Sequence, residues 1–178
     1  MGPGVDPHLY QATARDVRTF QTAEIIFYSG YHLEGQLGDV LERLAQRIDT
    51  LAVSETAIPE DEVFHVQDGS GLDPHVWMDP GLWARTVPVI AGKLIEHRPD
   101  CADAVETNAA AYGEQLAALD DWAAQAIATI PENHRILVTA HDAFNYFGRA
   151  YGILHLFTAR WAGGGCWRCR RFRACFAA

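Results

Sequence analysis

Three histidines stand in settings that suit metal binding. His8 lies in Gly4-Val5-Asp6-Pro7-His8, His75 in Leu72-Asp73-Pro74-His75-Val76-Trp77, and His141 in Thr139-Ala140-His141-Asp142. Neutral imidazole is the commonest protein ligand for divalent metal ions. The Asp-Pro before His8 and His75 stiffens the turn, because proline fixes its own φ and restricts the residue before it. A stiff turn aims the ring and lowers the entropy lost on binding. A lone loop histidine is more often a solvated or capping residue. Two Asp-Pro-His repeats, joined by a histidine just beyond a strand, set these three apart. His32, His65, His97, His134 and His155 lack such settings and read as structural or surface residues.

Other chemistries find little support. Ser29 and Ser70 are not in a Gly-x-Ser-x-Gly elbow, and the chain has no phosphate loop or dinucleotide fingerprint. Cys166, Cys169 and Cys175 are interleaved with Arg168, Arg170, Arg171 and Arg173. A structural zinc site needs four ligands at suitable spacing. No fourth lies close by, so the segment reads as an incidental arginine- and cysteine-rich tail rather than a zinc knuckle or nucleic-acid arm. Three histidines and an open coordination position are also the recipe for a zinc-activated water. A zinc-dependent hydrolase is therefore the alternative to a binding protein, although no motif marks a general base.

The elements that would position the histidines follow from periodicity. Thr13 and Asp16 fit a capping box, and a helix follows over 14–22. Residues 24–28 and 50–53 are short apolar runs that suit buried parallel strands, and 136–139 is a third. Leu33, Leu37, Val40, Leu41 and Leu44 predict an amphipathic helix over 33–47. Residues 59–72 read as a loop. Asp79-Pro80 starts a helix with Pro88 as its kink, and 142–151 is a helix closed by Gly152.

Between them, 99–130 carries Val105, Ala109, Tyr112, Leu116, Leu119, Trp122, Ala126 and Ile130 at helical spacing. A helix of that length, about 45 Å at about 1.5 Å per residue, suits a strut between two lobes. Strands alternating with helices imply an α/β fold with parallel sheets. A histidine in the turn after a strand then falls where ligands bind in such folds, beyond the carboxyl ends of the strands.

Composition narrows the class. The 178 residues are 49% hydrophobic and 21% charged, which gives enough apolar mass for one sizeable core and excludes a disordered or coiled-coil chain. The net charge of -9 argues against general nucleic-acid binding. No apolar run approaches the roughly 20 residues needed to cross a bilayer. The first residues have neither the basic start nor the apolar stretch of an export signal. All 23 acidic residues lie in 1–142, whereas 143–178 carries six arginines and no acid.

Taken in order, four segments resemble the zinc- and manganese-binding solute receptors of bacterial ABC importers, the family that includes the streptococcal adhesin-like lipoproteins. They are Gly2-Pro3-Gly4-Val5-Asp6-Pro7-His8-Leu9-Tyr10, Phe27-Tyr28-Ser29-Gly30-Tyr31-His32-Leu33-Glu34, Asp73-Pro74-His75-Val76-Trp77-Met78-Asp79-Pro80 and Val138-Thr139-Ala140-His141-Asp142-Ala143-Phe144. The resemblance implies two α/β lobes joined by one long helix, with a zinc or manganese ion held between them as transported ligand. It places the first three metal ligands on His8, His75 and His141, and the fourth on a carboxylate of the far lobe. It implies a partner permease in the membrane, no nucleic-acid partner, no enzymatic activity, and a periplasmic or cell-surface (lipoprotein) location. The expected organisation is a partial N-terminal lobe over 1–98, the linking helix over 99–131, the start of a C-terminal lobe over 132–153, and a disordered tail over 154–178. The chain starts inside the first motif and has no acid after Asp142. The expectation is thus a copy truncated at both ends, its tail arising from a shifted reading frame.

Overall fold

A computed structural model describes residues 4–66 and 71–157. Two parallel strand pairs form, as the alternating pattern predicts. Ile25–Tyr28 (β1) pairs with Asp49–Ala52 (β2), with Ile25 opposite Asp49 and Tyr28 opposite Ala52. Ile136–Thr139 (β3) pairs with Leu154–Phe157 (β4), with Ile136 opposite Leu154. Parallel pairing requires a crossover. Gln36–Leu44 (α2) supplies it between β1 and β2, and Asn145–Tyr151 (α7) between β3 and β4.

Ala14–Phe20 (α1) precedes β1 and starts at the expected capping box. The Asp16 carboxylate accepts the Thr13 backbone N–H at 2.8 Å, and Thr13 Oγ1 accepts the Asp16 N–H at 3.3 Å. Helix α2 begins at Gln36 rather than at residue 33. Gly30, Tyr31, His32 and Gly35 all have positive φ, so the chain makes a tight loop before it can turn helical. Leu37 and Leu41 then pack on Ile26 of β1. Val53, expected to end a strand, instead opens a short helix, Val53–Ala57 (α3).

Asp79 caps Pro80–Ala84 (α4), accepting the Leu82 N–H at 3.0 Å. Thr86–His97 (α5) follows. These are two helices meeting at Arg85, not one helix kinked at Pro88. Pro88 occupies the first turn of α5, where its missing N–H costs no intrahelical bond.

Ala102–Ala128 (α6) is the long helix, 27 residues and about 40 Å. Its packed face holds the buried Leu116 and Ala123, with α4 and α5 lying against it. Tyr112, Leu119 and Trp122 of the predicted stripe are 45%, 47% and 66% exposed. Two adjacent faces of the helix are apolar, and among the described residues only one is covered.

The central core gathers Tyr31, Ile58, Val63, Val76, Leu82 and Tyr146. Tyr146 of α7 is fully buried there, so the last helix is pegged into the first half of the chain. The expected tail begins too early. Leu154–Phe157 is β4, because Leu154 to Phe157 match Ile136 to Thr139 residue for residue across a parallel ladder. Residues 158–178, with Cys166, Cys169 and Cys175, lie outside the described residues. No helix among the described residues is long and apolar enough to cross a membrane.

Candidate metal centre

The turns that carry the three predicted histidines converge. His8 sits in a single 3-10 turn, Pro7–Leu9, whose start is fixed by Pro7 and by Asp6 accepting the His8 N–H at 2.9 Å. His75 is the residue before a second 3-10 turn, Val76–Met78. His141 follows β3. His75 Nε2 lies 3.2 Å from His8 Nε2 and 3.0 Å from His141 Nε2. One ligand atom from each ring lies within 4.8 Å of the other two, a set that could hold a metal ion. Ligands around a tetrahedral zinc at about 2.0–2.1 Å sit about 3.3 Å apart, close to the spacing seen here.

Burial is graded across the set. His75 is buried, His8 half-buried and His141 exposed, so the site opens on the His141 side. Burial, followed by the neighbouring ring of His75, pushes the His8 imidazole below its ordinary value, and Asp6 partly offsets this. A neutral ring with a free lone pair is the state that binds a cation.

Asp73 settles the tautomer of His75. Its carboxylate is fully buried, and Oδ1 lies 2.7 Å from His75 Nδ1 and accepts the His75 backbone N–H at 3.0 Å. Burial penalises this carboxylate, but hydrogen bonds from His75 and Asn145 outweigh the penalty and hold it below the usual carboxylate range. An ionised carboxylate only accepts, so His75 Nδ1 carries the proton and Nε2 presents its lone pair to His8 and His141.

Behind His141 lies a second polar group. Asn145 Nδ2 donates to Asp73 Oδ2 at 2.9 Å and to Asp142 Oδ1 at 3.0 Å. Its Oδ1 is 3.2 Å from Nδ1 of His155, a ring whose side chain is 3% exposed. The other ring nitrogen of His155 is 2.7 Å from Thr139 Oγ1, which in turn donates to the His141 carbonyl at 2.7 Å.

Sequence reasoning missed Asp73 as a hydrogen-bond partner, treating it only as a turn stiffener, and missed Asn145. It placed His155 among structural residues. No local pattern marks Asn145 or His155, whereas the Asp-x-His spacing of Asp73 and His75 was open to view.

The loop behind His8 is equally specific. Gly35 has φ +49°, and a side chain there would run into the His8 carbonyl oxygen. The buried Glu34 carboxylate accepts the N–H groups of Ser29, at 2.6 Å, and Gly30, at 3.2 Å. Those bonds fix the shape of the loop that ends at Gly35.

Known proteins resemble the chain in sequence and in fold. The chain is 46% identical over 153 residues to the manganese-binding lipoprotein MntA of Bacillus subtilis, covering 86% of this chain and 50% of that protein. It is 43% identical over 153 residues to the zinc-binding protein TroA of Treponema pallidum, covering 86% and 49%. The solved structure of the T. pallidum periplasmic zinc-binding protein TroA superposes with a TM-score of 0.83 at 41% identity, over 88% of this chain and 56% of that one. The metal ABC transporter substrate-binding lipoprotein FimA of Streptococcus parasanguinis is 35% identical over 159 residues, covering 84% and 50%. The chain thus spans about half the length of the curated relatives it matches. The sequence profile described as zinc-uptake complex component A, periplasmic, matches residues 1–161, and the chain belongs to that family.

Proposed function

We propose that His8, His75 and His141 bind a divalent first-row metal ion as cargo, in the extracytoplasmic solute-binding component of an ABC metal importer. The observation that carries this reading is the convergence of three Nε2 atoms, with Asp73 fixing the His75 tautomer that exposes the lone pair. The membrane permease is the partner, and the location is periplasmic or at the cell surface as a lipoprotein. We take 1–98 as part of one lobe, 99–131 as the linking helix and 132 onward as the start of the other.

Zinc and manganese are both candidates. Three imidazoles favour zinc on ligand type, although affinity order alone does not set selectivity. The relatives' names divide between the two metals. The hydrolase alternative is set aside. It needs a general base free to act beside the metal, and the Asp73 carboxylate is spent on His75 and Asn145. The named relatives are metal-binding proteins.

Isothermal titration of the full chain with zinc and with manganese tests the proposal. His75→Ala should abolish measurable binding or weaken it by more than 100-fold. Unchanged affinity in that variant would remove the site assignment.

A further inference from the structure

We infer that Asn145 is a positioning residue that sets the second and third histidines relative to each other. The inference rests on the three-histidine site proposed above. Asn145 and Asp73 are 72 positions apart in the chain, with the whole of α6 between them, yet their side chains meet at 2.9 Å. Asp73 holds the ring of His75. The same Asn145 nitrogen holds Asp142, the residue after His141. One amide group therefore ties the carboxylate that aims one ligand to the loop that carries another.

The orientation of that amide is not arbitrary. Two carboxylate oxygens face one end of it, so that end is the NH₂. The other end is then the carbonyl, which faces His155 Nδ1 at 3.2 Å. His155 continues the chain through Thr139 to the main-chain carbonyl of His141 itself. Both the side-chain neighbour and the backbone of His141 are anchored through Asn145. An aspartate here would face Asp73 and Asp142 with a third negative charge. Alanine would remove the Asn145 donor from the buried Asp73 carboxylate, and glutamine would carry the amide one methylene too far.

Cobalt(II) bound to the full chain gives the readout, because its visible absorption reports ligand geometry independently of fold stability. Asn145→Ala and Asn145→Gln should each weaken zinc binding by about 10-fold or more, the scale for residues behind a metal ligand. Both should change the intensity and position of the cobalt bands. Tyr151→Phe is the structural control. It removes the 2.7 Å bond from Tyr151 to Asp120, loosening α7 on α6 without touching the network. It should lower the melting temperature and leave the cobalt spectrum as it was. Wild-type affinity and spectrum in a folded Asn145→Gln protein would overturn the inference. So would a Tyr151→Phe spectrum altered as much as that of Asn145→Ala. If the unsubstituted chain binds neither zinc nor cobalt, or binds them equally well after His75→Ala, the three-histidine site itself falls.

Discussion

Asp73 makes His75 a ligand rather than a core histidine. A buried imidazole can carry its proton on either nitrogen, and only the Nδ1–H form turns a lone pair toward His8 and His141. Asn at this position could not serve both partners. It would place an N–H against His75 Nδ1–H, or against the amide of Asn145, where a carboxylate now accepts from each. Asp73→Asn should therefore weaken zinc binding about 10- to 100-fold in a calorimetric titration while His75 stays in place. A variant with the parent's affinity would show that the tautomer is set elsewhere. At this scale the sequence was informative where the signal was local. His8, His75 and His141 each sit in a turn whose neighbours, Asp-Pro or a strand end, are contiguous with them, so each was legible as a candidate ligand, while their placing in one site came from the family resemblance. The roles of Asn145 and His155 come from contacts with residues far along the chain, and no short-range pattern encodes them.

The elements show the same division. The capping box of α1 was readable from Thr13 and Asp16, and its chemistry yields a pH prediction. A hydrogen bond from Tyr10, and then those from Thr13, pull the Asp16 carboxyl down from an ordinary 3.8 to about 2. A carboxylate depressed in the folded state stabilises it fully above its unfolded value and ceases to do so as pH falls through the folded value. The Asp16 contribution should thus be complete above pH 3.8 and lost as pH falls to about 2. A carboxyl-detected NMR titration should find that midpoint, and Tyr10→Phe should move it upward. A midpoint already near 3.8 in the unsubstituted protein would contradict the cap. Other boundaries moved for reasons that periodicity does not carry. The leucine spacing from residue 33 is helical, but four positive φ values delay α2 to Gln36, and Gly35 among them gives His8 its backing. Pro88 reads as a kink only if α4 and α5 are taken as one helix. Strand β4 was missed because Leu154–Phe157 was read together with the arginine- and cysteine-rich segment that follows it.

At the scale of the whole molecule, apolar surface is uneven. An apolar groove of about 380 Å³ runs between α5 and α6, lined by Trp83, Val87, Ile90, Leu94, Val105 and Tyr112 among others. Further along α6, Leu119 and Trp122 are exposed, and on the β3–β4 pair so are Ile136, Val138 and Leu154. The core on the far side is well formed. Tyr146 is fully buried, donates to the Asp73 carbonyl at 2.7 Å and accepts the Phe64 N–H at 3.1 Å. A packed core together with open apolar faces should produce two signals at once. The 178-residue chain should show a cooperative melt with native near-ultraviolet dichroism, and yet bind an apolar dye and self-associate with rising concentration in sedimentation. Loss of the near-ultraviolet signal would instead indicate a molten state, in which dye binding reports loose packing rather than a surface. Trp122→Glu separates the surface from the core. Trp122 is 66% exposed, so the change costs little packing while placing a charge on the open face. It should lower both dye fluorescence and self-association and leave the melt and the zinc affinity where they were. If the variant binds dye and associates as the parent does, the open face of α6 is not the surface responsible.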